Sequence, residues 1–295
     1  MAFRTILVPL DGSHIAARSI GVATWLAGRL DARLHVLSAV AQPRPAQAEL
    51  QRLGVDRAAW PRVLLHQAIA FPEHAILEAI QRHEVDLVIM SARGEAAESA
   101  EPVHPALPIV GHVTLAVIQA CPVPVLVLPP AYRAALPWRD MLVPVSGEAE
   151  ADQALTLALR FANMLGLWVH VAHVADADPQ GIAGHARYVD AAHHEYPHRL
   201  GEFVTRSSGM CSREECERLK DVVLRQGDVA AALLDVIRDK QISVIVVGWH
   251  GRFMSGHAHV LKQLIQTVTC PVLLMKAAPR PPFKLHVNDE GEEMQ

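Results

Sequence analysis

The sequence has little of what marks secreted, membrane-bound or nucleic-acid-binding proteins. Its 295 residues include four cysteines, which excludes a dense disulfide framework and favours reduced thiols in the cytoplasm. The net charge of −4 offers no basic surface for nucleic acid or anionic lipid. No apolar run approaches the roughly 20 residues of a membrane span, and no signal-peptide pattern precedes the first predicted strand. We therefore expect a cytoplasmic protein with neither a membrane nor a nucleic-acid partner.

Common catalytic motifs are also missing. The chain has no Walker A loop, no G-x-G-x-x-G and no G-x-S-x-G nucleophile elbow, and the sequence places no pair of carboxylates for acid–base chemistry. We therefore assign no catalytic residue. What the chain does have is 51% hydrophobic residues and a length suited to two domains of ordinary size.

The chain contains one pattern twice. TILVPLDG at 5–12 matches DMLVPVSG at 140–147, and the same offset of 135 residues carries LHV at 34–36 onto VHV at 169–171. Further along, VDLVIMSARG pairs with SVIVVGWHG, and PVLVL pairs with PVLLM. Because the order is the same in both copies, the pattern indicates a duplicated domain.

Each half alternates short apolar runs with helical periodicity. Strands are predicted near 5–10, 33–39, 62–67, 85–90 and 124–128, and again near 140–145, 168–174, 221–225, 243–247 and 271–275. The first helix is predicted from Ser13, as N-cap, to Leu30. The fold class is therefore α/β, with two tandem doubly wound five-stranded parallel-sheet domains that are Rossmann-like and have strand order 3-2-1-4-5.

Prolines between 129 and 137 separate the two copies, so we predict domains at 1–132 and 137–277. Two insertions break the symmetry: a flap rich in Ala, Glu and Pro between Gly94 and Gly111, and a long segment at 176–220 that contains several histidines. The acidic tail at 278–295 is predicted to be disordered.

Ligands of open parallel sheets bind beyond the carboxyl ends of the strands, where the winding reverses. In the first half this crevice lies between strands one and four. Asp11 would accept hydrogen bonds from a base or ribose there, and the amides of Gly94 and Gly111 would bind phosphates. The alternative is that Asp11 is a turn residue in an ordinary strand–loop–helix connection.

These features resemble the universal stress proteins in their tandem two-domain form. The resemblance rests on the VPLDGS opening, the QGD segment at 226–228, the strand-four loop and the closing CPV strands. Members that bind ATP carry an Asp after strand one and a G-x2-G-x9-G-[ST] pattern after strand four. The resemblance further implies that the halves pack as a pseudo-dimer through their last strands, and it leaves a homodimer of the whole chain open.

The resemblance implies an ATP site in the first domain alone, formed by Pro9, Asp11, Ala39, Met90, Ser91, Gly94, Gly111, His112, Val113 and Thr114. The motif differs from the family pattern at three points. Ser91 replaces the first glycine, His112 replaces the serine, and 16 residues instead of nine separate Gly94 from Gly111. A longer loop still closes, since the entropy of loop closure grows slowly with length.

The second half departs further from the pattern. Ser146 stands in place of the Asp, Val247 in place of the Met, and Ala258-His259 in place of Gly-Ser. An alanine cannot approach a phosphate as closely as glycine does. We expect no ATP in this half.

The 17 histidines raise the question of a metal. HEYPH at 194–198 fits the zinc motif H-E-x-x-H, but Pro197 interrupts the helix that this motif requires, so a surface loop is favoured. The candidate ligands are His250, His257 and His259 near the second crevice. Overall, however, we expect no metal cofactor.

Three functions follow. The first is a stress-response binding and signalling module that holds ATP or a related adenine nucleotide in domain 1. The second is a nucleotide-independent scaffold, or a carrier of another small ligand or metal. The third is a slow ATPase or metal-dependent hydrolase, for which the family analogy is the main support.

Overall fold

The computed structural model describes residues 3–94, 110–133, 135–145, 149–175, 209, 211–249 and 259–276. The predicted flap, the acidic tail and most of the 176–220 segment lie outside the described residues. The same holds for Ser146, for HEYPH at 194–198 and for His250, His257 and Ala258.

The first half alternates strands and helices as the sequence predicts. Its elements are β1 Thr5–Pro9, α1 His14–Leu30, β2 Arg33–Ala39, α2 Ala46–Arg52, a 3-10 helix Arg57–Arg62, β3 Val63–Ala68, α3 Pro72–Arg82, β4 Leu87–Ser91, α4 His112–Ala120 and β5 Val125–Leu128.

The second half repeats this order. Its elements are β6 Asp140–Pro144, α5 Ala149–Leu165, β7 Trp168–Ala175, α6 Arg213–Cys216, β8 Leu219–Gln226, α7 Val229–Asp239, β9 Val244–Trp249, α8 His259–Thr267 and β10 Val272–Lys276. Among the described residues, no helix combines the length and the apolarity needed to cross a bilayer.

The strands form one ten-stranded sheet in the order β3-β2-β1-β4-β5-β10-β9-β6-β7-β8. Within each half the strands run parallel, which confirms the predicted fold class and the strand order 3-2-1-4-5. The halves join where β5 and β10 pair antiparallel, with Leu126 opposite Leu273. The predicted pseudo-dimer packing through the last strands is therefore confirmed.

Helices cover both faces of the sheet. On one face, α1 and α5 pack over an apolar cluster that includes residues of both halves. Phe3 and Phe161 meet there edge to face, with ring centroids 5.2 Å apart, and Trp25 lies 5.0 Å from Trp138. On the other face, α3, α4, α7 and α8 cover a second apolar cluster. The core is therefore continuous across the junction of the two halves.

The start of α1 shows why the turn after β1 is well defined. Ser13 is the N-cap, with extended backbone angles of φ −71° and ψ 150°, and its hydroxyl accepts a hydrogen bond from the amide of Ala16 at 3.0 Å. A serine hydroxyl at this position satisfies one of the free amides of the first turn. The two residues before Ser13 consequently lie at the carboxyl end of the sheet, in the predicted crevice.

Candidate functional site

A cavity of about 600 Å³ lies at the carboxyl ends of β1, β2 and β4. It is at the point where the strand order reverses, and its size is typical of a small-molecule site. The structure brings all ten predicted site residues to its wall: Pro9, Asp11, Ala39, Met90, Ser91, Gly94, Gly111, His112, Val113 and Thr114. Their role in binding stays a prediction.

Asp11 is held at the mouth of this cavity by the turn between β1 and α1. Its Oδ1 accepts a hydrogen bond from the amide of Ser13 at 2.9 Å. Gly12 has φ +96°, a backbone conformation that L side chains rarely adopt, and a Cβ there would lie 2.5 Å from Nη1 of Arg52. The turn therefore requires glycine, and it exposes the Asp11 carboxylate to the cavity.

The end of β4 is fixed by two hydroxyl groups. Ser91 is buried, and its hydroxyl donates to the carbonyl oxygen of Ile15 at 2.8 Å. The buried hydroxyl of Thr114 donates to the carbonyl oxygen of Ser91 at 2.9 Å. Both hydroxyl groups consequently hold β4 against α1 and α4. Where the family pattern has its first glycine, Ser91 stabilises the wall of the cavity from behind.

Helix α4 begins at the cavity. Its N-cap is Gly111, so no side chain caps the first turn. The amide of Gly111 itself donates to the carbonyl oxygen of Ala92 at 2.8 Å. The following amides of the first turn have no partner within the helix and attract negative charge. His112 is exposed at this entrance.

The loop after β4 runs close to Asp11. A Cβ built on Gly94 would lie 2.1 Å from Oδ2 of Asp11, whereas a Cβ on Gly111 would meet its nearest atom, the carbonyl oxygen of Ala92, at 3.5 Å. Of these two predicted glycines, Gly94 is the one at which an added side chain would displace a neighbouring group, the carboxylate of Asp11.

Three arginines that the sequence analysis did not single out line the same cavity: Arg44, Arg52 and Arg93. Arg52 donates from Nη1 to the carbonyl oxygen of Asp11 at 3.1 Å. With one carboxylate, three guanidinium groups and a helix N-terminus, the cavity favours a ligand that carries both hydroxyl groups and negative charge.

Two of these arginines are held by a fully buried carboxylate. Glu49 on α2 is 0% exposed and pairs with Arg52 at 2.6 Å and with Arg44 at 3.2 Å. The hydroxyl of Ser38 also donates to it at 2.7 Å. The hydrogen bond from Arg52, assisted by those from Ser38 and Arg44, outweighs burial and lowers the pKa of Glu49 to about 2.

The apolar part of the wall is opposite the charged rim. Leu37 and Ala39 of β2, Met90 of β4 and Ile76 of α3 contribute to it. An aromatic ring can pack on such a surface. The cavity is thus divided into an apolar side and a cationic side.

The second half gives a partial counterpart. His259 is the first residue of α8, as His112 is the first residue of α4, and both are exposed. Of the three candidate metal ligands, His259 is the one that the structure describes. The ends of β6, β7 and β9 are described as well, whereas residues 146–148 and 250–258 of this crevice lie outside the described residues.

The comparisons with known proteins agree with this architecture. A universal stress protein from Pseudomonas aeruginosa UCBPP-PA14 has a similar fold, with a TM-score of 0.63 at 18% sequence identity, over 93% of this chain and 94% of its own. A universal stress protein from Archaeoglobus fulgidus DSM 4304 matches with a TM-score of 0.57 at 15% identity, over 94% and 99% of the two chains. The sequence has no match among curated proteins.

The sequence itself matches the model of the universal stress protein family at residues 2–65, 45–129 and 137–276. These segments include both copies of the duplicated domain. The chain belongs to the universal stress protein family.

Proposed function

We propose that the cavity of domain 1 binds ATP or a related adenine nucleotide, and that the protein is a cytoplasmic binding and signalling module of the stress response. The observation that carries this proposal is the composition of the cavity: a carboxylate, three guanidinium groups and an uncapped helix N-terminus surround about 600 Å³. The resemblance to nucleotide-binding members of the family supports the choice of nucleotide.

Each part of a nucleotide has a complementary group in the cavity. The adenine would pack against Ala39, Met90 and Ile76 on the apolar side. The carboxylate of Asp11 would accept hydrogen bonds from the ribose hydroxyl groups. The phosphates would lie near Gly94 and at the start of α4, where the amides that follow Gly111 have no partner within the helix; the amide of Gly111 itself is bonded to Ala92.

The arginines would neutralise the phosphate charge. A guanidinium group can bind a phosphate through two parallel N–H···O hydrogen bonds. An arginine that is already held in place loses less side-chain entropy when the ligand binds. Glu49 holds Arg52 and Arg44 in this way, from a fully buried position. The buried carboxylate therefore prepares the cationic side of the cavity for an anionic ligand.

Binding, and not turnover, is the activity that the wall favours. Among the described lining residues the single carboxylate is Asp11, and its Oδ1 already accepts the amide of Ser13 at 2.9 Å. The proposal gives the remaining lone pairs of Asp11 to the ribose hydroxyl groups, so no other described carboxylate of the wall is left to act as a general base toward the attacking water. A slow ATPase would reveal itself as phosphate release in the experiment below.

A second candidate is a carrier of a smaller anion. The closeness of Gly94 to Asp11 favours it, because this contact narrows the crevice on the side where the phosphates would lie. In that case the arginines would bind the anion without an adenine group, and the apolar side would have no ring to contact.

The test compares matched positions of the two halves. The protein is purified and denatured, the released small molecules are identified by mass spectrometry, and ATP binding is measured by calorimetry. Asp11→Ala should weaken ATP binding at least about tenfold, since a good charge-assisted hydrogen bond contributes ~1.5–3 kcal/mol. Ser146→Ala, at the equivalent position of the second half, should leave it unchanged. Equal effects of the two variants, or no bound nucleotide, would reject the proposal.

A further inference from the structure

Three histidines from different elements meet on the edge of domain 1. His35 lies on β2, His66 on β3, and His83 directly follows α3. Their ring centroids are 5.0 Å, 5.1 Å and 4.1 Å apart in the three pairs. Each ring offers a nitrogen, and the three nitrogens lie within 4.8 Å of one another. None of the three residues lines the cavity of the candidate nucleotide site.

The register of the sheet explains why these rings meet. His35 pairs with Leu64, and Leu37 pairs with His66, so the side chains of these residues share one face of the sheet. Helix α3 packs on that face and runs back along the strands, so His83 lies toward the end opposite the cavity. Ala39, which does line the cavity, is four residues further along β2, or about 13 Å at 3.3 Å per residue.

The innermost histidine lacks a partner on one nitrogen. His35 is 4% exposed, and its Nδ1 lies 3.1 Å from Nε2 of His66. Its Nε2 is buried and has no hydrogen-bond partner in the described part of the chain. The nitrogen of His35 that faces His66 is therefore Nδ1, and the unpartnered Nε2 is the other nitrogen of the ring.

The second half shows what a satisfied histidine looks like at the same position. His170 lies on β7, 135 residues after His35, and is 1% exposed. Its Nδ1 lies 2.6 Å from Asp221 and its Nε2 lies 2.9 Å from Asp140. In the first half, Leu64 and Thr5 occupy the corresponding positions. His35 therefore has two further imidazoles as neighbours, whereas its counterpart His170 has two carboxylates.

The charged groups that face the cluster are cationic. Burial disfavours the charged form of His35 and of His66. The positive charges of Arg33, near His35, and of Arg82, near His66, disfavour it further. Burial, with help from the neighbouring histidines and Arg33, lowers the pKa of His35 to about 4, and burial also lowers the pKa of His66. Uncharged imidazole is the form that ligates metals.

We propose that His35, His66 and His83 bind a divalent d-block metal ion, with Zn²⁺ as the first choice. Imidazole suits Zn²⁺, and three histidines leave a fourth position for water. Zinc–nitrogen bonds of about 2.0–2.1 Å place tetrahedral ligand nitrogens roughly 3.3 Å apart. The 3.1 Å between His35 and His66 is close to this value, and His83 is half-buried at the end of a helix, where its ring can adjust.

The ion would connect three elements that the sheet joins only in part. β3 is the edge strand of the sheet, and most of its residues are half-buried. A metal that joins β3 to β2 and to the end of α3 would stabilise this edge, since ligands that bind only the folded state shift the folding equilibrium. Arg33 and Arg82 oppose the added charge, so we expect weaker binding than at a site that contains a carboxylate.

The test titrates the metal-free full-length chain with Co²⁺, whose visible absorption reports tetrahedral nitrogen ligation, and then displaces it with Zn²⁺. His66→Asn and His83→Asn, both at half-buried positions, should lose the Co²⁺ absorption and bind at least about tenfold more weakly. The control is His74→Asn, which alters an exposed histidine of α3. Circular dichroism confirms that each variant folds.

A second measurement uses the unaltered protein. In long-range ¹H–¹⁵N spectra of the histidine rings, Zn²⁺ should shift three imidazoles, and the signals of two of them should be absent from the spectra of His66→Asn and His83→Asn, respectively. The proposal fails if the variants keep the wild-type Co²⁺ spectrum and affinity, because other histidines would then hold the ion, and it fails if no ion binds. ATP binding measured in EDTA is separate from either result, so failure of the nucleotide proposal would be recognised independently.

Discussion

Gly94 and Asp11 are in such close contact that a methyl group on Gly94 would lie 2.1 Å from Oδ2 of Asp11. The glycine comes from the loop after β4, and the carboxylate comes from the turn after β1. The contact therefore connects the two strands between which the crevice opens. The contacting atom, Oδ2, is at the end of the Asp11 side chain, so a substitution at Gly94 would reorient this carboxylate while leaving the backbone in place. Effects on binding and on stability can therefore be measured separately at this position.

Gly94→Ala should weaken nucleotide binding without unfolding the protein. The added methyl group displaces the Asp11 carboxylate, which can rotate away, so we expect at least about a tenfold loss of ATP affinity with a change in unfolding free energy within ~1 kcal/mol. Calorimetry with ATP and urea denaturation measure the two effects. Gly28→Ala is the control: it meets nothing within 4 Å, and in the interior of α1 it should stabilise the chain by about 0.5–1 kcal/mol. Unchanged ATP affinity in Gly94→Ala would contradict this account of the crevice.

Glu49→Gln should destabilise domain 1 and weaken the cationic side of the cavity. The substitution removes the buried charge that pairs with Arg52 and Arg44, so we expect a loss of about 2 kcal/mol or more in unfolding free energy. The pH dependence gives the sharper measurement. The folded-state pKa of Glu49 is about 2, below its ordinary value of 4.5. Its contribution is therefore complete above pH 4.5 and is lost as the pH falls toward 2.

The difference in stability between wild type and Glu49→Gln should accordingly shrink over that acidic range. Urea titrations at a series of pH values measure it. A difference that stays constant down to pH 2 would mean that Glu49 is not held ionised by its arginines. Glu78→Gln is the control, because Glu78 is exposed on α3 and its ion-pair partner in the described part of the chain is the exposed Arg82.

His170→Leu should destabilise domain 2. The ring bonds Asp140 and Asp221, and among the described residues each carboxylate then keeps a lysine as its remaining charged partner. We expect a cost of about 2–3 kcal/mol at pH 7.

This cost should also depend on pH. Burial favours the uncharged form of both carboxylates, yet their hydrogen bonds with His170 and the lysines prevail and hold each pKa below 3.8. The contribution is therefore present above pH 3.8 and lost below it. Thermal unfolding at pH 7 and at a series of lower pH values measures it, and a penalty that does not shrink as the pH falls below 3.8 would indicate lost packing instead.

Phe161→Ala should show that the halves unfold together. The ring is 1% exposed and packs edge to face on Phe3 of the other half, so its removal should cost about 3–5 kcal/mol. Because the core continues across the junction, we expect one shifted unfolding transition in calorimetry. Phe71→Ala is the matched control, since Phe71 is 73% exposed and should matter by less than ~0.5 kcal/mol. Two separated transitions in wild type would contradict a shared core.

The strands and their order follow from the sequence because parallel strands buried on both faces appear as short apolar runs, and the repeat aligns them. Ser13 and Leu30 bound the first helix almost as predicted. The ten site residues meet at one cavity for the same reason: the carboxyl ends of neighbouring parallel strands lie at one edge, so the topology alone brings Asp11 and Gly94 together.

The cationic side of the cavity was not predictable in this way. Glu49 and Arg52 lie on a short helix in the connection from β2 to β3, where a polar stretch is typical of surface. The sequence indicates this ion pair in one way, by placing an acidic and a basic residue three positions apart on a helix. The burial of Glu49 depends on tertiary contacts, among them the hydrogen bond from Ser38. The histidine cluster was not predictable for a related reason. His66 follows His35 by 31 residues, and the register of β2 against β3 brings the two side chains together.

The antiparallel pairing of β5 with β10 has a geometric consequence for the positions of the two crevices. Every strand of the first half runs one way across the sheet, and every strand of the second half runs the other way. The carboxyl ends of the two sets of strands therefore lie at opposite edges of the sheet, and so do the two crevices. A molecule in one crevice cannot touch a molecule in the other. The two crevices are therefore separated by the sheet and by the core that both halves share.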